Sequence, residues 1–208
     1  MDKNKIAVSI FDKLATDYQN KFMDVNSYGS TFDVFCNNIP NENATVFEIA
    51  CGPGNITQHL LQKRPDLKIS GIDLSPNMVS LAKINNPTAH FEVMDCRDIS
   101  SITQKFDAMM CGFCLPYLSK EEMTQLIKDA SHLLHPEGVL YLSTMEDDYS
   151  QSQFKKGSSG DEIFMHYYRE EDLTSVLDDN NFEIIHLQRQ DYPANDDTDL
   201  IIIAKNSM

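Results

Sequence analysis

The sequence predicts an α/β fold: a doubly wound, seven-stranded and mostly parallel sheet with helices on both faces. Short apolar runs alternate with amphipathic segments between residues 45 and 145, which is the pattern of parallel strands joined by helices. Two further apolar runs near the end of the chain have no helix between them and indicate an antiparallel pair at one sheet edge. The 208 residues are enough for one domain with a substantial core.

The first 40 residues have a helical pattern and no strand. Apolar and aromatic side chains recur every four positions from Ile6 to Tyr18, which predicts a helix over residues 5–22. A second helix is expected over residues 27–38. The sequence PNENA (40–44) breaks the pattern, so this part of the chain is expected to form a helical cap before the first strand.

Five strands and three helices are expected in the alternating part. Ser75 is a good N-cap, and Pro76 fits the first position of the helix that follows it. HPEG (135–138) predicts a turn before the fifth strand. The other two expected helices are ITQHLLQKR (56–64) and EEMTQLIKDASHLL (121–134), and the expected strands are VFEIA (46–50), KISGIDL (68–74), AHFEVMD (89–95), FDAMMCGF (106–113) and VLYLSTM (139–145).

The chain changes character after residue 145. EDDYSQSQFKKGSSG (146–160) has little periodicity, and we expect a mobile loop there, because long loops at strand ends often carry function. EEDLTSVLDDN (170–180) predicts a helix. FEIIHLQRQ (182–190) and DLIIIAK (199–205) predict the antiparallel pair, with the polar loop YPANDDT (192–198) between them.

Composition narrows the classes of partner. The formal net charge is −15, and so acidic a surface repels phosphate backbones, which argues against a nucleic-acid partner. We find no apolar run near the roughly 18–20 residues of a membrane span and no signal-peptide pattern. The five cysteines are an odd number and indicate free thiols in a reducing cytoplasm. We therefore expect a cytoplasmic monomer or homodimer with no nucleic-acid or membrane partner.

The turn after the first strand, VFEIACGPGNIT (46–57), contains two glycines where a phosphate-binding turn usually lies. A dinucleotide fingerprint needs a third glycine where Thr57 stands, and Pro53 removes an N–H donor from the turn. Glu48 would oppose a diphosphate. S-adenosylmethionine fits better, because it carries an ammonium and a sulfonium, and its carboxylate can use a helix N-terminus.

Carboxylates end three successive predicted strands. Asp73 suits hydrogen bonds to two ribose hydroxyls, a group that NAD and S-adenosylmethionine both contain, so this residue alone does not separate them. Asp95 can accept from an adenine amino group. A single acid could equally well be a solvated strand end or a helix cap. The three acids at successive strand ends, Glu48, Asp73 and Asp95, together indicate a nucleoside site.

The ordered motifs resemble those of the class I S-adenosylmethionine-dependent methyltransferases, which have a Rossmann-like fold. The resemblance covers residues 45–145 and implies S-adenosylmethionine as the cofactor and the strand order 3-2-1-4-5-7-6, with strand 7 antiparallel. Glu137 replaces one glycine of the family's turn before the fifth strand. The matching segments are FEIACGPGNIT (47–57), GIDLSPNMV (71–79), VMDCRDI (93–99), FDAMMCGFCLPYL (106–118) and LLHPEGVLYLS (133–143).

The resemblance also implies where the cofactor lies. It would cross the carboxyl ends of the first four strands, with Leu74 and Met78 covering the adenine or ribose and Tyr18 lying over the cofactor. Cys111 and Phe113 would border its methionine part. The expected cofactor-binding residues are Tyr18, Glu48, Ala50, Cys51, Gly52, Gly54, Asp73, Leu74, Met78, Asp95, Cys96, Cys111 and Phe113.

These expectations divide the single domain into four parts. Residues 1–40 form a helical cap, and residues 45–145 form the cofactor-binding core. Residues 146–168 form a loop on the substrate side. Residues 169–208 supply the last helix and the antiparallel pair.

The reaction that the resemblance implies is transfer of a methyl group to nitrogen or oxygen of a small-molecule acceptor by in-line displacement. The protein would mainly supply proximity and orientation. A base is needed only if the acceptor arrives protonated, and His166 is the candidate. Tyr117, Tyr149 and Tyr167 are candidates for binding the acceptor.

Two alternatives stay open, and one motif is discounted. The chain could be a non-catalytic S-adenosylmethionine-binding protein, because fold does not fix function. An NAD-linked oxidoreductase is less favoured, because Thr57 stands in place of the third glycine and Pro53 removes an N–H donor from the turn. The C-x-x-C over residues 111–114 follows a strand instead of opening a helix, so we predict neither a redox pair nor a metal site.

Overall fold

The computed structural model describes residues 2–157, 160–191 and 197–208, and in them it confirms the predicted α/β fold. Seven strands form one sheet in the order β3-β2-β1-β4-β5-β9-β8. The strands of this sheet are β1 (Thr45–Ile49), β2 (Lys68–Asp73), β3 (His90–Val93), β4 (Phe106–Cys111), β5 (Leu134–Glu146), β8 (Phe182–Asp191) and β9 (Thr198–Asn206). Two strands that the sequence did not predict, β6 and β7, precede the last pair, so the predicted strands 6 and 7 are β8 and β9.

Strand direction also agrees with the expectation. β1 pairs in parallel with β2 and β4, and β4 pairs in parallel with β5. β9 is antiparallel to both of its neighbours, β5 and β8, and its register places Asp199 opposite Met145. The carboxyl ends of the parallel strands therefore meet at one edge, where ligands bind in open α/β sheets.

Helices lie on both faces of the sheet. They are α1 (Lys3–Lys13), α2 (Ala15–Phe22), α3 (Gly29–Asn38), α4 (Asn55–Lys63), α5 (Pro76–Asn85), α6 (Lys120–Leu133) and α7 (Glu170–Asp179). Successive side chains of β5 point to opposite faces of the sheet and pack in two different cores. Leu140 packs with α6 and α7 on one face, and Tyr141 packs with α3 and α4 on the other. Among the described helices, none combines the length and apolar character needed to cross a membrane.

The predicted helix over residues 5–22 is two helices. They meet at Leu14, whose backbone (φ −102°, ψ 14°) ends α1 and precedes α2. The break brings the rings of Phe11 and Tyr18 edge to face at 5.8 Å between centroids. Both helices are then fastened to α5: Asp12 accepts from the Ser75 hydroxyl at 2.7 Å, and Gln19 accepts from Asn85 at 2.7 Å.

Two loop predictions differ from the structure. HPEG is not a separate turn, because β5 already begins at Leu134 and passes through these residues with an irregular register and Glu137 at φ 62°. Within residues 146–160, β6 (Gln153–Lys156) pairs antiparallel with β7 (Glu162–Met165), where a loop was expected. Residues 158–159 of that segment, and 192–196 of the predicted YPANDDT loop, lie outside the described residues.

Candidate functional site

A cavity lies at the carboxyl ends of β1, β2 and β4, under α1 and α2. Ten of the predicted site residues reach its wall. These are Tyr18, Ala50, Gly52, Asp73, Leu74, Met78, Asp95, Cys96, Phe113 and Tyr117, and the wall is completed by Asn4, Ala7, Val8, Phe11, Met94, Gly112 and Cys114, which the sequence analysis did not single out.

Asp73 ties the end of β2 to the glycine turn. One carboxylate oxygen accepts the backbone N–H of Gly52 at 2.9 Å, and the other accepts the N–H of Ser75 at 2.8 Å. Burial raises the pKa of Asp73, and the two N–H donors oppose that rise. A carboxylate has about four lone-pair positions, so two remain for hydroxyl groups in the cavity.

The Gly52–Gly54 turn serves two purposes. Gly52, at φ 53°, carries its N–H to Asp73 and lines the cavity. Gly54 does not reach the cavity wall. It starts α4 at φ 77°, and an added Cβ there would lie 2.4 Å from Nδ2 of Asn86. Gly54 is therefore needed for the close approach of α4 to α5.

Glu48 lies outside the residues that line the cavity. Its side chain is fully buried and accepts a hydrogen bond from the hydroxyl of Thr57 on α4. Burial raises the pKa of Glu48 to about 8, and the charge of Asp73 adds to the rise. The carboxyl group is thus largely neutral at pH 7 and lies behind the cavity wall, so it supplies no exposed charge to a cation. Thr57, read as a departure from a glycine, is its partner.

Asp95 is held by Arg97, which the sequence analysis missed. The guanidinium donates to Asp95 at 2.6 Å, to Glu122 of α6 at 2.8 Å and to Asp2 at 3.0 Å. Burial opposes ionisation, but the bonds from Arg97 outweigh it and lower the pKa of Asp95. Asp2 caps α1, so Arg97 joins the carboxylate at the cavity to the helix that covers it.

The thiols differ in their positions. Cys96 and Cys114 both line the cavity, with their Sγ atoms 3.8 Å apart. Cys51 and Cys111 were also expected at the site, but the structure buries them behind the wall, 1% and 0% exposed. Burial raises the pKa of the Cys51 thiol, so it behaves as a small apolar side chain. The wall between β2 and β3 is otherwise apolar, with Leu74, Met78 and Met94.

Aromatic side chains close the other end of the cavity. Phe11 stands between Tyr18 and Tyr117, with ring centroids 5.1 Å from Tyr117. Phe113 follows β4 with φ 59°, and its N–H donates to the Ser143 hydroxyl at 2.8 Å. The missed residues on α1 carry a signal that a helical wheel could have found, since positions 4, 7, 8 and 11 share one face of a helix.

His166, Tyr149 and Tyr167 do not line this cavity. The hairpin of β6 and β7 packs this group against the turn before α6, where the His166 N–H donates to the Pro116 carbonyl at 2.8 Å. The His166 ring stacks on Tyr149 at 5.6 Å between centroids, and its buried Nδ1 has no hydrogen-bond partner among the described residues. Burial lowers the pKa of His166. Tyr167 lies beneath the Lys155 ammonium. Of the predicted acceptor-side residues, the structure brings only Tyr117 to the cavity.

Comparison with known proteins agrees with the motifs. Residues 46–138, somewhat less than half of the chain, match the family described as "Methyltransferase domain". The trans-aconitate 2-methyltransferase of Escherichia coli is 35% identical over 103 residues, covering 49% of this chain and 40% of that protein. A tRNA N(3)-methylcytidine methyltransferase of Schizosaccharomyces pombe is 25% identical over 167 residues, covering 70% of this chain and 66% of that protein.

A solved structure extends the likeness over almost the whole chain. The 1,6-didemethyltoxoflavin-N1-methyltransferase of Burkholderia thailandensis, solved with S-adenosylhomocysteine and 1,6-didemethyltoxoflavin bound, has a TM-score of 0.76 and 18% identity. The match covers 98% of this chain and 88% of that one. At this identity the likeness shows a shared fold.

Proposed function

We propose that this protein methylates a small-molecule acceptor on nitrogen or oxygen. The proposal is supported by the match of residues 46–138 to the family described as "Methyltransferase domain" and by the motifs that resemble the class I S-adenosylmethionine-dependent methyltransferases. The observation that carries the proposal is one cavity that contains both Asp73 and Asp95, at the ends of adjacent strands, beside the glycine turn.

The residues present fit S-adenosylmethionine. Asp73 keeps lone pairs for two ribose hydroxyls. Asp95 lines the same cavity, where it would face the adenine amino group, although Arg97 already engages both of its oxygens. Leu74 and Met78 supply apolar surface for the base. The described residues that line the cavity include no lysine or arginine to bind a diphosphate. This donor set therefore favours S-adenosylmethionine over NAD.

Methyl transfer would depend on how the cavity residues position the cofactor and the acceptor. When bound, S-adenosylmethionine supplies a methyl group on a sulfonium, which is already a good electrophile. Gly52 and Asp73 would fix the cofactor along the strand ends, and Phe113 and Tyr117 would border the space for the acceptor. Tyr18 and Phe11, fastened over the cavity with α1 and α2, would exclude water and hold the two reactants in line.

A small acceptor is supported by charge and by the covered cavity. The net charge of −15 disfavours a nucleic acid, although one relative acts on tRNA and makes tRNA the acceptor to test against. We also propose a cytoplasmic location, which the five unpaired and buried cysteines support.

The experiment is transfer of labelled methyl from S-adenosylmethionine to pools of amines, hydroxy compounds and carboxylic acids, with bulk tRNA as a separate arm. Label in a small-molecule pool supports the proposal. Label in tRNA alone would overturn the small-molecule acceptor. Binding of S-adenosylhomocysteine without transfer to any arm would favour the non-catalytic binding protein.

A further inference from the structure

Asp199 is a buried carboxylate with one oxygen unused. Its side chain is 0% exposed, and Oδ2 accepts a hydrogen bond from the Tyr28 hydroxyl at 2.6 Å. Oδ1 is buried and has no partner in the part of the chain that the structure describes. A buried acceptor without a partner costs free energy, and for an ionised group the cost is larger. Such a group calls for an explanation beyond folding.

The carboxylate lies one side chain away from the cavity. Asp199 and Ile201 share a face of β9, and Ile201 is opposite Ser143 in the register. The Ser143 hydroxyl accepts the N–H of Phe113, which lines the cavity. The Tyr28 ring meets the Phe113 ring at 4.9 Å, so the two rings together separate Asp199 from the cavity. Rotation of Phe113 would open a path between them.

Anchoring Tyr28 explains only one oxygen of Asp199. Burial raises the pKa of Asp199 to about 6, with the charge of Asp197 adding to the rise, so the group is still mostly ionised above pH 7. The Lys155 ammonium is paired with Asp197 at 3.1 Å. Among the described residues, no cation is recorded as bonded to Asp199. The structure thus holds a buried carboxylate behind the Tyr28 and Phe113 rings, with one acceptor position unfilled by any residue that the structure describes.

We propose that Oδ1 of Asp199 binds the N–H of an amine-bearing methyl acceptor, which enters past Phe113. This inference rests on the proposed function and names the class of acceptor. Phe113, which lines the cavity, and Tyr28, whose ring packs against it, border this approach, and ring faces attract organic cations. The strongly negative net charge would favour the same ligands at longer range.

The contact with Asp199 also explains how the acceptor ammonium loses its proton. An alkylammonium must lose one proton before its nitrogen can attack, and the Asp199 carboxylate accepts it. The nitrogen lone pair then forms the N–CH3 bond while the S–CH3 bond breaks. The electron pair of the broken bond stays on sulfur. The products are S-adenosylhomocysteine and the methylated ammonium, and the proton on Asp199 passes to solvent.

The test is calorimetry on protein saturated with S-adenosylhomocysteine. The probes are benzylamine and propylamine, each compared with the alcohol of the same shape, at about pH 7.5. The amines are expected to bind about tenfold more tightly than the alcohols, because they form a charge-assisted hydrogen bond. Asp199→Asn should abolish this preference, leave the affinity for S-adenosylhomocysteine unchanged and leave the unfolding midpoint equal or higher. Asp197→Asn, which removes the neighbouring carboxylate paired with Lys155, is the matched control and should keep the preference.

The outcomes separate the two proposals. Absence of an amine preference in the wild type, including absence of binding, overturns the inference even if Asp199→Asn fails to fold. A preference that survives Asp199→Asn overturns it too. A fall in the unfolding midpoint of Asp199→Asn would assign the carboxylate to folding instead. Failure of S-adenosylhomocysteine itself to bind would count against the proposed function.

Discussion

Asp73 accepts the backbone N–H of Gly52 at 2.9 Å, and through this bond the end of β2 fixes the turn that follows β1. We expect Asp73→Ala to weaken binding of S-adenosylhomocysteine at least about tenfold, because it removes the proposed bidentate contact to the ribose and frees the turn. Calorimetry measures the change, and Glu92→Ala, an exposed acid on the neighbouring strand, is the control. Equal affinities for Asp73→Ala and wild type would rule out the ribose assignment.

Arg97 couples Asp95 to the helix over the cavity. Arg97→Gln removes the charge that holds Asp95, Glu122 and Asp2 together, so we expect weaker cofactor binding and faster exchange of α1 amide hydrogens. Asp2→Asn breaks only the arm to α1 and should speed that exchange while changing the affinity less. If both variants left α1 exchange as in the wild type, Arg97 would not fasten this helix.

Glu48 should make stability depend on pH. Its pKa is raised in the folded protein, to about 8, above the ordinary carboxyl value, so the folded state binds its proton more tightly. Its contribution is therefore fully present below about pH 4 and is lost as the pH rises towards 8. We expect the free energy of unfolding of the wild type, taken relative to that of Glu48→Gln, to fall between pH 5 and pH 9. Urea unfolding of both proteins at pH 5 and at pH 9 measures this change. A constant difference would show that Glu48 does not titrate in this window.

Gly54 and Gly29 offer a matched pair of glycine substitutions. Gly54→Ala places a side chain at φ 77° and against Asn86 and Ala82, so a loss of about 1–3 kcal/mol of unfolding free energy is expected. Gly29 has an ordinary helical φ of −54° at the start of α3, and an added Cβ would meet only the His59 ring at 3.7 Å. Gly29→Ala should therefore be neutral or stabilising by up to about 1 kcal/mol. Equal losses at both positions would contradict the packing argument.

The large sheet, and the positions of Asp73 and Asp95 after its strands, could be predicted from the sequence. Period and turn chemistry are local signals, and they predicted the seven strands of the large sheet and the carboxylates at their ends. Arg97 was missed because its meaning depends on Asp2 and Glu122, which are distant in sequence and meet only in the fold. Asp199 looked like the first residue of an apolar strand, and only its burial beside Tyr28 distinguishes it.

The acceptor side was the least predictable. Residues 146–160 lack a period because β6 and β7 form a short hairpin that is partly exposed, so neither face has a consistent apolar pattern. His166 was chosen from its residue type and its place after this segment. Packing of the hairpin instead directs it towards Tyr149 and Phe164, away from the cavity. The sequence predicts an ionised Glu48, because the burial that raises its pKa is not visible in a sequence.

The central claim is that the cavity along Gly52, Asp73 and Asp95 is a site for S-adenosylmethionine. Its most direct test is calorimetric titration of the wild-type protein with S-adenosylhomocysteine and, separately, with NAD. We expect S-adenosylhomocysteine to bind once per chain and NAD to give no measurable heat. Binding of NAD in the absence of binding by S-adenosylhomocysteine would contradict it.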